Sequence, residues 1–212
     1  NDRSQKTSEF LSPAASNSAQ TSGGFTFHPW LQLMRIGNVF TAFANILMGY
    51  LVVKSDADIL TLSAQQDAWP LAGLLAATFC LYSSGMVLND VFDIEQDKEQ
   101  RSDRPLAAGV ISLRVAARCG TGLMLAGILF ASTAGVRGCL LGCAIAVSVL
   151  LYNRVLKKTP LAPLMMGICR TLNVLLGMSY VVSDKAIFCG FEKHHLLIAG
   201  GIGVFVAGLT WF

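Results

Sequence analysis

The residues best suited to chemistry in this sequence lie in one short stretch, from Asn89 to Leu106. Six of the chain's 13 acidic residues fall between Asn89 and Asp103. On a helix turning 100° per residue, Asn89, Asp90, Asp93 and Asp97 share an arc of about 100°, whereas Glu95 and Glu99 point elsewhere. Oxygen-bearing side chains crowded on one face repel one another unless a cation sits between them. A few carboxylates, with substrate phosphates completing the shell, is the usual way to hold Mg²⁺. A solvated acidic helix end paired with nearby Arg and Lys is the alternative, and the residues alone leave it open. An EF-hand is excluded, because Lys98 stands where its loop needs Gly and Arg104 where it needs Glu. Arg101 and Arg104 offer guanidinium forks suited to phosphate oxygens. Pro105 then breaks the helix, and Gly109 permits a turn back.

The elements that must position this cluster are apolar. Of the 212 residues, 53% are hydrophobic and only 14% charged, and mean hydropathy is +0.56. A soluble domain carries about 25% charged residues, so the composition indicates a polytopic membrane protein. The net charge of +3 is too small to argue for nucleic acid as a partner. Residues 1–28 are rich in Ser, Thr, Ala, Gln and Gly and read as a disordered polar tail with no signal-peptide core. Residues 29–212 read as one transmembrane domain. Its apolar runs are Ile36–Val53, Ala68–Asn89, Cys119–Val136, Gly138–Asn153, Thr159–Ser183 and Leu196–Phe212. A helix of about 20 residues crosses the hydrocarbon core. Six helices in an all-α transmembrane bundle are therefore expected. A start at Asn1 and a stop inside an apolar run suggest a C-terminally truncated fragment.

Loop charge gives an orientation. Lys98, Arg101, Arg104, Arg114 and Arg118 lie between the second and third runs, and Arg154, Lys157 and Lys158 between the fourth and fifth. The alternate loops balance Lys54 against Asp56, Asp58 and Asp67, hold Arg137 alone, or balance Lys185 and Lys193 against Asp184 and Glu192. The positive-inside rule puts the acidic cluster on the cytoplasmic side of a plasma, inner or organelle membrane. The six cysteines form no CxxC pair and read as small apolar residues. Metal and arginines at a membrane surface suggest a substrate with a diphosphate head and a lipid-soluble tail.

Asn-Asp-x-x-Asp-x-x-x-Asp followed by Arg…Arg-Pro-Leu-x-x-Gly resembles the first aspartate-rich motif of the UbiA-type intramembrane prenyltransferases. The resemblance runs over residues 31–212. Arg35-Ile-Gly-Asn38 is similar to that family's Arg-x-x-Asn in the first helix. Tyr152 to Lys158 resembles its Tyr…Leu-Lys segment, and Arg170-Thr-Leu-Asn173…Gly177 its Arg-x-x-Asn…Gly. The resemblance implies Mg²⁺-dependent transfer of a prenyl group from a prenyl diphosphate to a hydrophobic acceptor in the membrane. It implies about nine helices in the whole protein, by fold-level analogy. It assigns Asn89, Asp93 and Asp97, with Asp90 close by, to Mg²⁺-diphosphate, and Arg35, Arg101, Arg104 and Lys157 or Lys158 to phosphate. Asn38 and Tyr152 would line the cavity, with the Tyr152 ring facing an allylic cation. Two departures stand out: the arginines follow Asp97 at short spacing, which suggests a divergent branch, and the family's second aspartate motif falls after the last residue of this sequence.

Arg170 lies in an apolar helix, where a charge costs at least about 2.5–3.5 kcal/mol, so it must face the bundle interior or a wet cavity. Structural pairing and substrate contact both stay open, and the resemblance favours substrate binding for Arg170 and for Asn173, one turn further on. His28, His194 and His195 read as solvated, and Trp30, Trp69 and Trp211 as interfacial anchors. Two rival functions remain: a non-catalytic homologue serving as a binding or assembly component, and a small transporter, for which the expected inverted repeat is not found.

Overall fold

The computed structural model describes residues 27–56, 64–180 and 190–211. Every element among them is helical: α1 (Phe27–Leu33), α2 (Val39–Asp56), α3 (Ala64–Phe92), α4 (Ile94–Gln100), α5 (Leu113–Ala131), α6 (Gly135–Arg154), α7 (Ala162–Met178) and α8 (Lys193–Trp211). Short 3₁₀ turns precede α2, join α5 to α6, and follow α6. The expected tail lies almost wholly outside the described residues, as do Asp58, Asp184, Lys185 and Cys189.

Each of the six apolar runs holds one long helix. Four stretches have the length and apolarity to cross a membrane: Ile36–Lys54, Ala68–Phe92, Leu113–Arg154 and Lys193–Trp211. The third spans 42 residues, but the 3₁₀ turn at Ser132–Ala134 and the positive φ of Gly135 (79°) fold it into two helices. Their pairing is antiparallel: Gly138 meets Ala131, and Gly142 meets Ala131 and Ile128. Helix α7, of 17 residues, is the shorter apolar helix beside them. The chain is an integral membrane protein.

The distribution of polarity fits a lipid solvent. Leu125, Leu129, Leu140 and Val147 on α5 and α6, and Val204, Phe205 and Leu209 on α8, point outward. Thr78, Ser84, Asn153 and Asn173 are buried, where each finds a partner. The Thr78 hydroxyl donates to Asn173 Oδ1 (2.7 Å), and Asn173 Nδ2 donates to the Ala42 carbonyl (3.0 Å), tying α2, α3 and α7 at one level. Ser84 Oγ donates to the Gly120 carbonyl (2.7 Å), and Asn153 Nδ2 to the Gly85 carbonyl (3.0 Å). Backbone carbonyls accept these bonds because lipid offers polar groups no other solvent. Around them, Ile46, Leu74, Leu81, Leu88, Met124, Ile145 and Leu176 form a core shared by α2, α3, α5, α6 and α7.

Two features refine the sequence reading. The helix expected to run unbroken past Asn89 bends at Asp93 (φ −93°, ψ 4°), which separates α3 from α4. The amide bonds Asp93→Asn89 (3.0 Å) and Asp97→Asp93 (2.8 Å) still carry the ladder through the bend. Helix α5 begins at Leu113, ahead of the apolar run, because Ser112 caps it by accepting from the Val115 amide (3.4 Å). The chain turns between α4 and α5 at Gly109, whose φ of 74° suits glycine.

Helices α2 and α7 cross where Gly49 and Gly177 face one another's backbones. A Cβ on Gly49 would collide with the Val174 carbonyl, and one on Gly177 with the backbone of Ile46. Gly177→Ala should therefore lower stability by about 1–3 kcal/mol through overpacking, seen as a reduced thermal midpoint in detergent. Gly122→Ala, where a Cβ meets open space, serves as control. Equal midpoints for the two variants would refute the crossing.

Candidate functional site

Helices α3 and α4 deliver the acidic side chains to one face. Asp90 and Asp97 are 4% and 6% exposed, Asn89 and Asp93 are half-buried, and Glu95 and Glu99 lie exposed. Buried carboxylates need partners, and three bases from distant parts of the chain supply them. Arg104 Nη1 reaches Asp97 Oδ2 (2.6 Å) and Asp90 Oδ1 (3.2 Å). Arg35 Nη2 also reaches Asp90 Oδ1 (3.4 Å), and the Asn89 amide donates to the same atom (3.4 Å). Lys157 Nζ pairs with Asp93 and lies 3.5 Å from Asn89 Oδ1. Among the described residues, the ion pair of Glu95 is with the exposed Lys98 (3.4 Å), a surface pair of small energetic weight.

Each base is held by local structure. Arg104 sits in the turn after α4, where its amide and carbonyl bond Arg101 and Ala108. Lys157 lies in the 3₁₀ turn that ends α6. Arg35 precedes the first 3₁₀ turn with φ 49° and ψ 49°, and among the described residues it alone is a non-glycine with positive φ. That conformation costs about 1–2 kcal/mol, and such strain gathers at functional sites.

Beneath the acids is a cavity of about 250 Å³, walled by α3, α6 and α7 with Arg35 and Ala42 on its fourth side. Asn89, Tyr152, Arg170 and Asn173 all line it. The Arg170 guanidinium donates to Thr41 Oγ1 (3.2 Å). Met86, Leu81, Ile145, Val149 and Met166 make much of the remaining wall apolar. The arrangement can take an anionic head among Arg35, Arg104 and Lys157 and leave an apolar tail among the helices.

The structure therefore brings together Asn89, Asp90, Asp93, Asp97, Arg35, Arg104, Lys157, Tyr152, Arg170 and Asn173. It sets others apart. Arg101 and Lys158 are exposed and make none of the contacts to the aspartates, so Lys157 is the lysine that faces the acids. Asn38 is exposed and outside the cavity wall, though its side chain lies within hydrogen-bonding reach of Tyr82. His195 corrects the expectation of a solvated pair: it is 3% exposed, and its Nδ1 accepts from the Glu192 amide (3.2 Å). Sequence reasoning missed Tyr82, Thr78 and Asn153. The signal was present, because Thr78, Tyr82, Gly85 and Asn89 recur at helical spacing along the face of α3 that lines the cavity. Among the described residues, no three His, Cys, Asp or Glu side chains converge as a preformed metal nest.

Residues 35–212 match the profile of the UbiA prenyltransferase family. The digeranylgeranylglyceryl phosphate synthase of Metallosphaera sedula is 33% identical over 135 residues, covering 62% of this chain and 44% of that protein. That of Saccharolobus solfataricus is 32% identical over 130 residues, 61% and 43%. The chain thus spans less than half the length of these relatives. Among solved structures, one concerned with digeranylgeranylglyceryl phosphate synthase in membranes superposes with a TM-score of 0.69 at 23% identity, covering 86% of this chain and 60% of that one. A UbiA homologue from Aeropyrum pernix K1 gives 0.58 at 21%, covering 86% and 61%. At such identities the superpositions speak for the fold alone, and it is the family match over residues 35–212 that decides the assignment: the chain belongs to the UbiA prenyltransferase family.

Proposed function

We propose that this protein transfers a prenyl group from a prenyl diphosphate to a hydrophobic acceptor within the membrane, with Mg²⁺ as cofactor. The observation that carries the reading is the set of paired acids and bases at the mouth of an intramembrane cavity. The curated relatives, named as digeranylgeranylglyceryl phosphate synthases, point to the same class of reaction and to a lipid acceptor.

The donor set fits Mg²⁺. Asn89, Asp93 and Asp97 offer hard oxygen ligands, few in number, at a place where Arg104 and Lys157 already bring positive charge against the same oxygens. Such a site suits an ion that keeps part of its shell for phosphate. When bound, Mg²⁺ supplies Lewis-acid stabilisation of the departing diphosphate. Lys157, Arg104 and Arg35 bind the phosphate oxygens, exchanging their carboxylate partners for the substrate. The allylic C–O bond breaks with its electron pair on the diphosphate. The Tyr152 ring stabilises the resulting cation, and the apolar wall keeps water from capturing it. The acceptor's nucleophile then forms the new bond and releases its proton to the departing diphosphate. The bend between α3 and α4 falls at Asp93, the residue whose carboxylate pairs with Lys157.

Site specificity gives the test. Asp93→Asn or Asp97→Asn in the full-length protein should reduce Mg²⁺-dependent binding of a prenyl thiodiphosphate by about tenfold or more, the scale of lost charge-assisted bonds. Glu95→Gln and Glu99→Gln should leave it unchanged, as expected for exposed charges. Equal losses in all four variants, or binding that persists without divalent metal, would overturn the reading.

From loop charge we further propose that the acidic cluster faces the cytoplasm. In a cysteine-free background, Lys98→Cys and Lys193→Cys, both exposed, should react with an impermeant maleimide from opposite sides of the membrane. Reaction of Lys98→Cys from outside would reverse the orientation, and reaction of both from one side would contradict the helix order.

A further inference from the structure

Between Asp103 and Asp184 the sequence contains no acid. Of the bases in that interval, Arg104 and Lys157 bind the aspartates. Arg114 and Arg118 on α5 and Arg154 at the end of α6 do not. All three are exposed. Among the described residues, none of the three has an ion pair or a side-chain hydrogen bond. Helix geometry aims them at lipid. Arg114 and Arg118 share a face with the outward-pointing Leu125 and Leu129, whereas buried Ala116, Gly120 and Gly127 occupy the opposite face of α5. Arg154 follows Val147 and Leu140 at heptad spacing, on the outward side of α6.

Two hydrogen bonds fix their depth. Ser84 Oγ donates to the Gly120 carbonyl and Asn153 Nδ2 to the Gly85 carbonyl, so Gly120 and Asn153 stand level with adjacent residues of α3. Arg118 and Arg154 then both lie about 5 Å short of Asn89 in helix rise, and Arg114 lies about one turn further, level with the aspartates. Arginines near helix ends run their stems along apolar surface and place their charge among the lipid headgroups.

We propose that Arg114, Arg118 and Arg154 form a docking surface for anionic phospholipid on the outer face of α5 and α6. The guanidinium forks take the headgroup phosphate, and Leu125, Leu129 and Val147 carry the acyl chains. Because neither helix holds an acid, the surface offers nothing to the cationic half of a zwitterionic headgroup, and net negative headgroups are preferred. A second copy of the same face would set arginine against arginine, which like charge opposes. The surface lies outside the cavity, so it stands whether or not that cavity transfers prenyl groups.

The test uses the full-length protein in detergent with dioleoyl phosphatidylglycerol or dioleoyl phosphatidylcholine, the bound lipid being counted by native mass spectrometry. A base beside a membrane surface attracts anionic lipid about fivefold, so three should make the wild type hold phosphatidylglycerol at least about tenfold more tightly. Replacing all three arginines by Gln should remove that preference, and replacing them by Lys should keep part of it. Lys98→Gln, which removes an exposed base on α4, should leave it intact. If the triple Gln variant loses its thermal midpoint, the single variants Arg118→Gln and Arg154→Gln decide, each expected to lose about fivefold. Equal retention of the two lipids by the wild type overturns the proposal, as does a preference that survives in the Gln variants or falls equally in Lys98→Gln. Displacement of the lipid by glycerol phosphate at equal concentration would make the ligand a free anion, and displacement by Mg²⁺-pyrophosphate would put the lipid in the cavity; either overturns it. A dimer that the triple Gln variant loses would give the face to a second copy and overturn the lipid assignment.

Discussion

Three acids that cannot be buried alone organise this end of the molecule. Asp90 and Asp97 are withdrawn from water, and Asp93 is half withdrawn. Leaving a buried charge without its partner costs about 3–5 kcal/mol. The chain meets that demand from three separate places: the approach to α2, the turn after α4, and the end of α6. Arg35 and Lys157 are 55 and 64 residues from the aspartates they bind, and Arg104 is 14 residues from Asp90 and 7 from Asp97. Satisfying the acids therefore draws α2, α4 and α6 around the end of α3. The cavity below lies between α3, α6 and α7, with Arg35 and Ala42 closing its fourth side.

The same demand gathers the charged contacts at the acids and leaves much of the deeper wall apolar. Below the aspartates, Thr78, Asn173 and Ala42 close a second polar contact, and the glycine contact between α2 and α7 brings those backbones close enough to make it. Small residues let the helices pack closely, and the interhelical hydrogen bonds add to that packing. The Arg35 backbone strain has the same origin, because the left-handed turn is what returns the chain to α2 while its guanidinium remains at Asp90.

Much of this was legible before any coordinates. The six runs emerged because a bilayer imposes a length on every crossing, and the acid cluster because helical angle alone separates Asp93 and Asp97 from Glu95 and Glu99. Other features depend on tertiary placement. Lys157 and Lys158 are adjacent, and only the 3₁₀ turn decides which of them meets Asp93. His194 and His195 read alike in sequence, yet His195 shares a stripe with buried Ala199 and Gly203, whereas His194 does not. The bend at Asp93 has no glycine or proline to announce it. Tyr82 and Asn153 are single polar residues in apolar helices, whose partners, Asn38 and Gly85, belong to other elements.

The central claim is that the oxygens now engaged by Arg104 and Lys157 form, with those bases, a receptor for a metal-bound diphosphate. Calorimetric titration of the full-length protein with inorganic pyrophosphate addresses it most directly. The account predicts saturable binding in the presence of Mg²⁺, weakened by rising salt as phosphate–base contacts are screened, and little or none in EDTA. Binding of equal strength with and without Mg²⁺, or no binding in either condition, would contradict it.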